Sequence, residues 1–198
     1  MTVSGNGERA QVLFAHDTEV ALHAAAALVN TGRGGREDLP DVAALDRFVT
    51  DWKWTGDRAR DAAELDGVRA LRARLGEIWA MDADAAAELV NELLRERSAL
   101  PQLVKHDGWG YHLHATSPEA PLADRMAVEA AMGLADVIRA GELARLRTCA
   151  AEDCAAVHVD LSKNRSRRYC DAGCGNRANV AAYRARRGGT RSGGPTDS

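Results

Sequence analysis

Lysine is nearly missing from this chain of 198 residues. Lys53, Lys105 and Lys163 are its only examples, and arginine supplies the other 23 basic residues. Cysteine is absent from the first 148 positions, proline occurs five times, and aromatic residues make up 5%. No run approaches the roughly 18 uninterrupted apolar residues of a membrane helix, so no spanning segment is expected. The N-terminus has no basic stretch leading into an apolar run, so no secretory signal is expected and the chain reads as cytoplasmic. There is no GxGxxG or GxxxxGK phosphate loop, no HExxH helix and no evident Ser–His–Asp set, and the chain reads as a non-enzyme. Cysteine confined to one end, in a reducing compartment, also argues against a disulfide framework.

What is present divides in two. Hydrophobic residues make up 45% of the chain, enough for a sizeable core. Residues 145–198 carry 11 basic and 5 acidic side chains, a net of +6, whereas residues 1–144 carry 15 and 24, a net of −9. An acidic body therefore precedes a basic end, and the asymmetry points to an anionic partner for that end.

The body reads as helical. An Ala-rich helix over about Thr18–Asn30, capped by Asp17 or Thr18, places Val20, Ala24, Ala27 and Leu28 on one face. A second follows Pro40 with Val42, Leu45, Phe48, Val49 and Trp52. A third runs from about Asp57 to Ala80 on Leu65, Val68, Leu71, Leu75, Ile78 and Trp79. A fourth, capped by Asp82, buries Ala85, Leu89, Leu93 and Leu94. The period then shortens, and two strands around an Asp107-Gly108 turn predict a small β-hairpin. A last long helix spans about Leu122–Ala140. Trp52, Trp54, Trp79 and Trp109 either pack in the core or line a pocket for a small-molecule effector, packing being the commoner role.

All four cysteines follow in the pattern Cys149-x4-Cys154-x15-Cys170-x3-Cys174. Two close pairs separated by a hairpin-length loop are the arithmetic of a structural zinc site, because tetrahedral Zn²⁺ takes four thiolates. Two disulfides or four unrelated thiols fit the compartment and spacing less well. His158 sits mid-strand beside a full ligand set and is set aside. The segment Ala155–Asp160 reads as a strand, LSKNRS as a turn, and Arg167–Cys170 as the returning strand. Asp171 then caps a helix to about Arg187 whose first turn carries Cys174. Cys174, Ala178, Ala181 and Ala185 share its inner face. The fold class is thus mainly α: a helical domain over 1–146 with one hairpin, a treble-clef-like zinc module over 147–188, and a tail over 189–198 expected to be disordered.

The run Cys174-Gly175-Asn176-Arg177, with the basic loop before it and Asn179 to Arg187 after it, resembles the CGNR-type zinc finger. That finger ends bacterial proteins described as stress-induced transcription regulators. Leu28-Val-Asn-Thr31 and Tyr111-His112-Leu-His114 are similar to the α-rich domain that precedes it in that family. Two departures are the three-residue spacing of the closing pair, where four is common, and Tyr169, where Trp is common. The resemblance implies binding to duplex DNA and transcription regulation. Arg165, Arg167, Arg168, Arg177, Arg184, Arg186 and Arg187 around the metal are the candidate contacts, able to grip phosphates or guanine edges. Asn176 and Arg177 are equally candidates for supporting the thiolates. A solvated basic face, or a zinc module that binds a protein, is the competing reading. One short module gives limited DNA affinity, so a homodimer is a further expectation. His112 and His114 share a strand face with His106 nearby. Such a trio can hold a metal, though hydrogen-bonded imidazoles on a polar face are commoner.

Overall fold

The computed structural model describes residues 14–105, 110–170 and 173–189. Helix α1 (His16–Asn30) is the centre of the body. Leu22, Ala24, Ala25, Ala26, Leu28 and Val29 are buried, whereas Val20 and Ala27 of the expected stripe are half-buried; the buried face is broader and turned because α1 is packed by other elements on several sides. Its start differs from expectation. The cap is Ala15, with no side-chain bond, and Thr18 lies inside the helix. The Thr18 hydroxyl donates to Asp136 Oδ2 at 2.9 Å, tying α1 to helix α5 (Leu122–Arg139). Gly133 of α5 lies where a Cβ would meet Leu22 and the Thr18 carbonyl at 3.4 Å, so the missing side chain permits the close crossing.

The next helices begin on aspartate caps, as their N-terminal amides require. Helix α2 (Val42–Asp51) has Asp41 accepting from the Ala44 amide, and α3 (Ala62–Glu77) has Asp61 accepting from Glu64. A 3₁₀ turn over Ile78–Ala80 extends α3. The expected start of α3 near Asp57 is corrected by this cap. Residues 57–60 form a loop in which Arg58 bridges Glu64 at 2.8 Å and Asp46 at 3.0 Å. Helix α4 (Ala83–Glu96) starts at the expected Asp82 cap and buries Ala86, Leu89, Val90 and Leu93. Strands β1 (Gln102–Val104) and β2 (His112–His114) form the expected antiparallel pair, with Leu103 opposite Leu113. The predicted Asp107-Gly108 turn, His106 and Trp109 lie outside the described residues. Helix α5 lies against α1, α3 and α4 and buries Leu122, Met126, Ala127, Ala130, Ala131, Leu134 and Val137.

The C-terminal elements are β3 (Leu146–Thr148), β4 (Val157–Val159) and α6 (Cys174–Gly189). The predicted strand at 155–160 is present, but its partner is β3, with Leu146 opposite Val159 and Thr148 opposite Val157. Residues 167–170 are not a strand. The expected domain boundary at 146 falls inside β3. Leu146, Val157 and Val159 join the same buried cluster as Leu22, Leu28 and Leu75. Asn30, at the end of α1, clamps the pairing: its Nδ2 donates to the Val157 carbonyl at 2.9 Å and its Oδ1 accepts from the Val157 amide at 2.8 Å. Trp79 Nε1 donates to the His158 carbonyl at 3.2 Å.

Trp52 meets Phe48 at 6.2 Å between ring centroids, and Trp54 and Trp79 lie partly buried against the core. Two surface grooves, of about 450 and 430 Å³, are lined by other residues, among them Arg33, Arg72 and Gly76 in one and Asn91, Leu94 and Ser98 in the other. No helix among the described residues is long and apolar enough to cross a membrane.

Candidate metal centre

Strand β3 runs directly into Cys149. The amide of Cys149 donates to the Ala156 carbonyl at 2.8 Å and that of Cys154 to the Ala151 carbonyl at 3.0 Å, so the loop folds back and presents both sulfurs on one side. The chain then passes through β4 and returns. The Ala150 amide donates to the Arg168 carbonyl at 2.8 Å, and the Cys170 amide to Cys149 Sγ at 3.4 Å. Cys174 is the first residue of α6. All four sulfurs lie within 4.8 Å of one another, with Cys154 and Cys170 at 3.7 Å and Cys170 and Cys174 at 3.5 Å. Sulfurs bound tetrahedrally to zinc at ~2.3 Å stand roughly 3.8 Å apart. The four-cysteine cluster with its strand pair and helix fits a zinc finger.

The two buried sulfurs, Cys149 and Cys174, differ in their electrostatics. Burial pushes the Cys149 thiol up, but the amides of Cys170 and Ala151 and the thiols of Cys170 and Cys154 outweigh it and bring it down to about 7. Burial pushes Cys174 up. Arg177 Nη2 lies 3.0 Å from Cys174 Sγ and 3.7 Å from Asp153, so its charge sits against the sulfur cluster. His158 is buried with Nε2 at 3.3 Å from the Arg167 carbonyl, outside the sulfur group.

A polar network missed by sequence reasoning holds the loop between β4 and Cys170. Asp160 is fully buried, accepts from the Ser162 amide and hydroxyl, and takes the Arg167 amide at 3.0 Å. Burial raises its pKa, and these bonds with Arg147 nearby overcome that and hold the carboxyl below its usual range. Arg145, also buried, donates to Glu142 at 2.6 Å and to the carbonyls of Asp160 at 2.7 Å and Ser162 at 2.9 Å. The alternation of Arg145 and Arg147 on a chain entering a strand was the available signal.

The predicted contact residues separate. Arg165 pairs with Glu142 at 2.6 Å, and Arg167 folds its Nε onto the Tyr169 carbonyl at 3.2 Å. Arg168 is exposed, lying 5.8 Å from the Tyr169 ring centroid. Asn176, Arg177, Arg184 and Arg186 are exposed on α6, and the side chain of Arg187 lies outside the described residues. The expected inner face is shorter than predicted. Cys174 is buried and Ala178 half-buried, but Ala181 is exposed. Tyr169 instead covers the first turn, its ring 3.5 Å from where a Gly175 Cβ would lie. From Asn179 to Arg184 every residue is exposed.

Residues 22–159 match the family model described as "Putative stress-induced transcription regulator" (ABATE), and residues 145–187 match that of the CGNR zinc finger. The two matches overlap over residues 145–159, the β3–β4 pair that lies in the core of the body. Both are regulator or zinc-finger descriptions rather than enzyme ones. No curated protein matches the chain.

Proposed function

The chain belongs to the family described as putative stress-induced transcription regulators, and from that premise we propose that it is a regulator that binds duplex DNA through its C-terminal zinc module. Cys149, Cys154, Cys170 and Cys174 hold one Zn²⁺, and Arg177 offsets part of the negative charge of the thiolate cluster. The reading places the protein in the cytoplasm, where thiols stay reduced. One observation carries the DNA assignment. The sulfurs root only the first turn of α6, and the helix beyond is exposed on all sides from Asn179 to Arg184. This stretch of α6 is left uncovered by the helical body, and a groove of DNA would cover it. Arg165 and Arg167 hold Glu142 and the Tyr169 carbonyl. Arg168 and Arg184, both exposed, are assigned the phosphates, with Arg186 and Arg187 following them along α6. Asn179 and Tyr183 are assigned backbone or base edges.

Four thiolates and one Zn²⁺ lower the module's +6 to about +4, a moderate field. Non-specific affinity is then on the order of 10⁻⁴–10⁻⁶ M at physiological salt, which favours two copies on one duplex. Val180 and Tyr183, 48% and 52% exposed on the same helix, favour a second reading in which α6 docks on a protein. A fluorescence titration of the whole zinc-loaded protein with random duplex DNA separates the two. Binding at low salt that disappears with salt and with chelator supports DNA. Absence of binding at low salt passes the assignment to a protein partner.

A further inference from the structure

The β1–β2 hairpin carries chemistry that the regulator reading leaves unused. His112 and His114 lie two positions apart on β2, so both side chains leave the same face of the strand. Their Nε2 atoms approach to 3.0 Å, with ring centroids 4.9 Å apart and planes inclined at 59°. The other ring nitrogen of His112, Nδ1, lies 2.9 Å from the Gly110 carbonyl. A carbonyl accepts only, so Nδ1 carries the proton and His112 Nε2 presents a lone pair toward His114. This is how metal-binding imidazoles are held: one nitrogen donates to a backbone carbonyl, which fixes the ring and leaves the other nitrogen for the ion.

We propose that His112 and His114 form a second metal site, a two-nitrogen chelate for a divalent ion of the copper(II) or nickel(II) kind. The ion would displace the proton shared between the two Nε2 atoms and sit beside the line joining them, with both lone pairs turned to it. Two nitrogens 3.0 Å apart are close enough to share one ion at ~2.0–2.1 Å from each. Imidazole suits copper, nickel and zinc, and affinity for a nitrogen site of this kind peaks at copper(II), with water completing the shell. The strand pairing sets both positions, with His112 opposite Val104 and His114 opposite Gln102. The site is separate from the four-sulfur centre, whose thiolates also take copper, so the zinc content and the nitrogen or sulfur coupling of the copper signal tell the two sites apart.

The test is a titration of full-length protein, its cysteine site first filled with one equivalent of zinc, with Cu²⁺ read by electron paramagnetic resonance and Ni²⁺ read by difference absorbance. The expected result is one further equivalent of Cu²⁺ whose spectrum shows coupling to two nitrogens. His112→Ala and His114→Ala should each weaken that binding by more than about ten-fold, the low end of what even a supporting contact contributes. Each variant should keep its zinc and its helical circular dichroism. His114→Gln, which retains a polar side chain on the strand, should behave like His114→Ala. A protein that takes up no second ion, or whose second ion binds equally well in all three variants, would overturn the proposal.

Discussion

The helical body and the C-terminal module are held together by different physics. In the body, Leu22, Leu45, Leu75, Leu93, Met126 and Leu134 are essentially removed from water, and each such side chain contributes about 1.5–3 kcal/mol by burial. In the module the apolar side chains that are buried, Leu146, Val157 and Val159, belong to the body's core. Among the described residues after Asp160, only Cys174 is buried. What orders that stretch is four sulfurs and a set of charged groups bonded to backbone. A region of this size can dispense with a core when a metal and polar clamps take over the constraint, and its surface is then left for binding.

Breaking the metal site should have the largest effect and should be confined to one side of the comparison. Structural zinc contributes about 10–16 kcal/mol of apparent binding free energy, and with zinc on the four cysteines that would be folding energy for residues 161–187. Cys170→Ser is expected to lose stoichiometric zinc by elemental analysis and to lose amide protection across α6, while α1 to α5 keep theirs. Full protection of α6 in metal-free protein would contradict this.

Cutting the chain asks whether the line between the regions lies at residue 146. A protein ending at Arg145 loses Leu146, Val157 and Val159 from the core, on the order of 5–9 kcal/mol by the same burial scale. That is comparable with the whole stability of a typical domain. It is expected to melt without a cooperative transition, whereas a protein ending at Leu161 keeps the β3–β4 pair and melts cooperatively. Equal cooperative transitions for both would place an independent domain before residue 146.

Acid and alkali should act on opposite regions. Burial raises Glu129 on α5 to about 7, with Arg125 offsetting part of it. The folded state therefore binds this proton more tightly than the unfolded one, and stability falls as pH rises from about 4.5 to 7, by up to roughly 3 kcal/mol. Glu129→Gln should unfold at higher temperature than the parent at pH 8 and no differently at pH 4. The module should respond the other way, because thiolates must stay deprotonated to hold the metal and acid releases it. The smallest effect belongs to the clamp between the regions. Asn30→Ala leaves both polar groups of Val157 unpaired, at about 1–3 kcal/mol, and should lower the thermal midpoint by a few degrees without releasing zinc.

The body was more legible than the join. The Leu65–Val68–Leu71–Leu75 stripe and the Asp82 cap are local patterns, and the helices they predict are present. The start of α1 was misplaced because Asp17 and Thr18 look like caps, while the Thr18 hydroxyl is used by Asp136, 118 residues away. The four sulfurs come together as their spacing implied, but the strand partner of Val157–Val159 did not follow from it. Three-residue strands are too short to show a period, and Leu146–Thr148 reads as the tail of a helical run. Asn30 lies in the Leu28–Thr31 run that resembles the family, but its role had no local pattern, since both of its bonds are made to β4, 127 residues on.

The proposed zinc module reaches DNA through the arginines of α6 and the loop before it. The most direct test is the salt dependence of duplex DNA binding by the full-length zinc-loaded protein, compared with Arg184→Ala and Arg168→Ala. Each lost phosphate contact should lower the slope of log affinity against log salt by about 0.9, and binding to all duplex sequences should weaken together. Slopes and affinities identical to the parent in both variants, or no DNA binding by any of the three at low salt, would contradict it.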